Sequence, residues 1–141
     1  MNKKLVLTIA FTILLTAVGF SQKIKLKKGK VLVDGKAIMK YERESWGVYK
    51  VNLFSLETDD ELIELNKNDN EAKAYYDDDF LQIRFLTLGK IAEVKTKKSF
   101  KKIIGWLLKK KVITANGEIN EEKIDLFIKN YDENITNRTV R

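Results

Sequence analysis

The hydrophobic period of this chain changes once, near Ser99, and that change limits the fold more than any single residue does. Before it, apolar residues recur at alternate positions: Tyr49, Val51 and Leu53 in one stretch, Leu81, Ile83 and Phe85 in another. Alternation of this kind puts one set of side chains on one face of a strand. After it, Phe100, Ile103, Ile104, Leu107 and Leu108 fall at helical spacing. At about 100° per residue they cover an arc about 140° wide, enough to lie against a sheet. Strands followed by helices predict an α+β domain: a mostly antiparallel meander sheet of about seven short strands, then two C-terminal helices packed on it.

Turn chemistry places the strands. Asp34-Gly35 stands between two β-prone runs, and both central positions of a type I′ turn need positive φ. A two-residue loop there pairs Val33 with Lys36 and Val31 with Ile38. It sets Leu32, Ala37, Met39 and Tyr41 on the other face, so both faces carry apolar groups and the pattern leaves the buried face open. Lys28-Gly29 supplies an earlier turn. Further strands are expected over 47–54, 61–66, 80–88 (the longest) and 91–95, with turns at 57–60 and Gly89-Lys90. Residues 67–73 show no period and read as a loop.

The first helix ends in Lys109, Lys110 and Lys111, the favourable sign for its carboxyl end. Gly105 at its centre costs roughly 1 kcal/mol against alanine and implies a close approach there. Asn116-Gly117 turns the chain. Asn120 then starts a second helix with Glu121 and Glu122 in its first turn and Ile124, Phe127, Ile128 and Tyr131 on its buried stripe. The pattern stops at Asp132, and 133–141 is expected as a flexible tail.

Residues 1–21 read as a secretory signal peptide. Lys3 and Lys4 precede a mostly apolar run over 5–20, and Gly19-Phe20-Ser21 sets small residues before a cut ahead of Gln22. The apolar run is shorter than the roughly 18 to 20 residues that cross a bilayer, which makes an uncleaved inner-membrane anchor the lesser reading. This predicts an exported protein, periplasmic or extracellular, with no integral membrane span after cleavage and a single domain over 22–132. The absence of cysteine excludes a disulfide framework and a lipid-modified cysteine at the cut.

Composition also limits the chemistry. Without histidine or cysteine, the commonest general base, the thiolate nucleophile and the usual zinc ligands are missing, so no enzyme activity and no cofactor are expected. The net charge of +7 comes almost wholly from lysine, with arginine only at 43, 84, 138 and 141. Arginine is the better fork for phosphate and base edges, so nucleic acid is not the expected partner.

Asp77-Asp78-Asp79 offers calcium oxygens, but three consecutive residues of an extended strand cannot converge on one ion. They read as a charged turn. A carboxylate-based hydrolase using them ranks third among the functional readings. Placing Gly117 at the sixth position of an EF-hand loop puts Val112 first and Lys123 twelfth, where acids are required, so that match fails. Asn134-Ile135-Thr136 and Asn137-Arg138-Thr139 fit the glycosylation pattern.

One stretch has a strong charge bias. Residues 95–111 hold eight lysines and no acid, whereas 57–79 hold ten acids against Lys67 and Lys73. On a helical wheel Trp106 lies outside the apolar arc, one turn from Lys102 and from Lys110. Lys101, Lys102, Trp106, Lys109 and Lys110 are therefore the candidate contact residues for an anionic surface. The bland alternative is a solvated helix face with Trp106 packed on a neighbouring loop.

The Phe20-Ser21-Gln22 junction, the 28–36 stretch and the closing NEEKIDLFIKNYDEN of 120–134 resemble uncharacterised small exported proteins of Bacteroidota type. That resemblance implies a bacterial source and an envelope or external compartment, no activity, and little weight for the glycosylation sequons. Together these observations predict a small exported, non-enzymatic module that binds or scaffolds something at the cell envelope, its partner an unknown envelope protein or an anionic surface. The alternative is a peripheral binder of anionic lipid or glycan through helix 99–111.

Overall fold

The computed structural model describes residues 22–44, 49–68 and 80–139. Seven strands pair with their neighbours in chain order: β1 (Ile24–Lys27), β2 (Lys30–Val33), β3 (Lys36–Glu44), β4 (Tyr49–Ser55), β5 (Glu61–Asn68), β6 (Phe80–Phe85) and β7 (Lys90–Val94). Every pairing is antiparallel. Three helices follow: α1 (Phe100–Lys109), α2 (Glu121–Tyr131) and the short α3 (Ile135–Thr139). The α+β meander expected from the period change is the observed architecture.

Two hairpins close as the turn residues dictate. Lys28 and Gly29 both have positive φ (52° and 77°), as do Asp34 and Gly35 (50° and 83°). Val33 pairs with Lys36, but Val31 pairs with Met39 rather than Ile38, because a bulge interrupts the register between Val31 and Leu32. The extra residue reverses the alternation that the sequence implied. Ile38 and Met39 are both buried, and Met39 and Tyr41 share the Val31 face instead of the Leu32 face. A strand with apolar groups on both faces thus commits most of them to one core.

That core joins Val31, Val33, Val51, Leu53, Ile63, Leu65, Leu81, Ile83, Phe85 and Ala92 to Phe100, Ile103, Ile104, Leu107 and Leu108 of α1 and to Ile124 and Phe127 of α2. The opposite face carries polar pairs such as Lys50 with Glu64 (3.3 Å).

Two strand limits differ from expectation. β5 runs on through Asn68, because Lys67 pairs with both Tyr49 and Leu81, and ladder bonds on two sides hold a strand without an apolar period. β6 stops at Phe85, where the Phe85–Lys90 pair and Gly89 (φ 61°) close the loop, so among the described residues the nine-residue β3 is the longest strand. The readings placed on 1–21, on Gly47 and Val48, on 69–73 and on Asp77–Asp79 lie outside the described residues.

The segment expected as a flexible tail folds in part. Ile135 is buried, and Glu93, only 5 % exposed, accepts bonds from the Thr136 amide (3.1 Å) and the Thr136 hydroxyl. The same segment also bonds the chain at the end of β7, at Glu93 and Lys95. The Glu93 amide donates to Asp132 (2.9 Å), the Glu93 carbonyl accepts from the Glu133 amide (2.8 Å), and the Lys95 amide donates to Glu133 (2.6 Å). Five residues carry too short a pattern to show a helical period, so this anchoring had no periodic signal. Among the described residues no helix is long and apolar enough to cross a membrane.

Candidate anion-binding groove

Helix α1 starts at Ser99, whose hydroxyl accepts the Lys102 amide (3.3 Å), and its first turn holds no acid. Phe100, Ile103, Ile104, Leu107 and Leu108 are buried, so the remaining faces of the helix present lysines. The carboxyl end closes in a Schellman arrangement: the Val112 amide donates to the Leu107 carbonyl (3.0 Å) and the Lys111 amide to that of Leu108 (3.0 Å). Lys111 takes the left-handed conformation there (φ 62°), where glycine is the usual residue.

The lysine-bearing side of α1, the start of β1 and the turn after α1 enclose a half-open groove of about 1190 Å³. Lys98, Lys101, Lys102, Lys109 and Lys111 line it together with Trp106, and its lining contains no acid. None of these five lysines forms an ion pair among the described residues, where the cations in ion pairs are Lys40, Lys50, Arg84 and Lys90.

Gly105 lies in the wall, and a Cβ there would stand 2.9 Å from Ile24 Cδ1, which accounts for the close approach expected at this residue.

Of the expected contact residues, Lys101, Lys102, Trp106 and Lys109 meet in this groove. Lys110 does not line it: its ammonium lies 5.4 Å from the centre of the Tyr131 ring. Trp106 is held edge-on by Phe127 (4.7 Å) and Tyr131 (4.9 Å), so it packs on α2 rather than on a loop, and Lys98 Nζ sits 4.8 Å from its ring centre.

Sequence reasoning missed Lys98 and Lys111. Lys98 precedes the N-cap Ser99, so no helical spacing marks it as a neighbour of Lys101 and Lys102. Lys111 depends on the left-handed turn, which no local pattern announces when the residue is lysine.

No family model matches this chain, and no curated protein or solved structure matches it either. The chemistry must be read from the groove alone. Among the described residues no group of acids could hold a metal ion. What the lining offers is five donors of positive charge, the Trp106 indole and the hydrogen-bonding groups of Gln22, Thr114 and Asn120.

Proposed function

We propose that this protein is an exported, non-enzymatic binding module of the bacterial envelope that takes an acidic polysaccharide along the α1 groove. The observation behind this reading is the convergence of five lysines, without a single acid, on one depression. Clustered like charges repel, and a polyanion laid among them relieves that cost while releasing counterions.

A lipid surface fits less well. The apolar stripe of α1 is consumed by the sheet, and Trp106 is pinned between Phe127 and Tyr131, so neither is available as a wedge for a bilayer. The lack of histidine and cysteine supports a binding role over a catalytic one.

Titrating the protein with a polyuronate and with phosphatidylglycerol-containing vesicles, at low and at physiological salt, tests the reading. Polyuronate binding that weakens about tenfold or more in a Lys102→Glu, Lys109→Glu double variant, yet little in Lys110→Glu, is the expected result. Vesicle binding without polyuronate binding, or binding of neither, overturns it.

A further inference from the structure

A second group of cations lies at the amino end of α1, outside the groove lining. Arg43 of β3 pairs across the sheet with Val51, and Lys67 of β5 with Leu81, so both belong to the face that carries the core. Their charged ends converge on one buried ring: Arg43 Cζ lies 5.6 Å and Lys67 Nζ 4.6 Å from the centre of Phe100. Neither makes an ion pair with an acid among the described residues.

The ring face attracts each cation by about 0.5 to 2 kcal/mol but neutralises neither. Lys67 shows the cost: burial pushes its ammonium below the ordinary lysine range, and the nearby Arg43 guanidinium pushes it further in the same direction. Two like charges held over one apolar ring repel each other, and an anion lying between them would relieve that repulsion.

The two groups have complementary geometry for that role. A guanidinium presents parallel N–H donors matched to two oxygens of a carboxylate or phosphate, and an ammonium adds a donor from a second direction. We propose that Arg43 and Lys67, floored by Phe100, bind a carboxylate or phosphate group. This site stands on its own residues and does not depend on the groove reading.

The test uses side-chain NMR on the whole protein, following Arg43 Nε–H and the Lys67 Cε resonance. Inorganic phosphate and galacturonate probe the free anion, and a polyuronate probes the same chemistry carried on a chain. Saturable shifts at both side chains are expected, with chloride at matched ionic strength giving none. Whichever source saturates at the lower concentration identifies the natural form of the ligand.

Lys67→Met should weaken binding about tenfold. Arg43→Lys keeps the charge and loses the fork, so it should fold normally and still bind about tenfold more weakly. The groove variant Lys102→Glu, Lys109→Glu should leave phosphate and galacturonate binding unchanged. Shifts reproduced by chloride, or affinity indifferent to both Lys67→Met and Arg43→Lys, overturn the proposal. Loss of polyuronate binding at the groove with phosphate binding intact would refute only the groove.

Discussion

Gly117 packs against Ile38 so closely that a Cβ added to it would lie 2.0 Å from the Ile38 carbonyl oxygen. The obstacle is backbone, which cannot turn aside as a side chain can, and Gly117 also holds φ at +81°. Gly117→Ala therefore combines a steric overlap with left-handed strain and should cost about 3 kcal/mol or more. Urea unfolding of the variant should show a lower midpoint. An unchanged midpoint would mean that the 114–117 turn does not rest on β3 as described.

Lys111 offers a test in which stability and binding move in opposite directions. Its left-handed conformation is one that glycine adopts without the Cβ penalty, so Lys111→Gly should stabilise the fold by up to about 1 kcal/mol. The same change removes one of the five groove lysines and should weaken polyuronate binding. Thermal melts and titrations on one preparation read both effects. A gain in stability with no loss of binding would remove Lys111 from the groove's function.

The proton equilibrium of Lys67 gives the protein a defined alkaline behaviour. In the folded chain the ammonium titrates below its ordinary value of 10.5, first through burial and then through Arg43. Between that lowered value and 10.5 the unfolded chain holds more protons than the folded one, so this group adds stability as pH rises through the window. Below the window its charge is a constant penalty. Melts in phosphate-free buffer from neutral pH to about 10.5 should therefore show the wild type gaining on Lys67→Met as pH increases. A difference that stays flat, or runs the other way, would contradict the described environment.

The contact between α3 and β7 should be separable from the rest of the fold. Thr136→Val removes the hydroxyl donor to the buried Glu93 carboxylate and leaves the amide donor in place, at an expected cost of about 1 to 2 kcal/mol. Hydrogen exchange should speed up first at the Glu93 and Lys95 amides, which the 132–133 segment accepts. Faster exchange throughout the sheet instead would mean that the segment is part of the global cooperative unit.

How much of this was legible beforehand depends on the kind of signal. Asp34-Gly35 and the 3.6-residue spacing from Phe100 to Leu108 are local, and each specified its element. The faces of Met39 and Tyr41 do not follow from alternation, because a single bulged residue inverts all that follows, and nothing local at Ile38 marks it. Lys67 read as loop because its strand is held by partners on either side rather than by its own period.

The groove lysines of α1 were legible as a charged face, since a helix whose apolar arc is buried must show its remainder. Their assembly with Gln22 and Ile24 into one depression was not, because those residues are far away in the chain. The Arg43–Lys67 convergence on Phe100 joins three elements and could emerge only from the fold.

Spatial order in the sheet repeats chain order from β1 to β7. Each newly supplied segment therefore finds its partner in the one just placed, and loop closure between neighbours is inexpensive. The sequence contains no proline, so no prolyl isomerisation delays the process. A chain delivered amino end first, whether from a ribosome or through a pore, can zip up progressively and needs its last third only to seal the exposed apolar side.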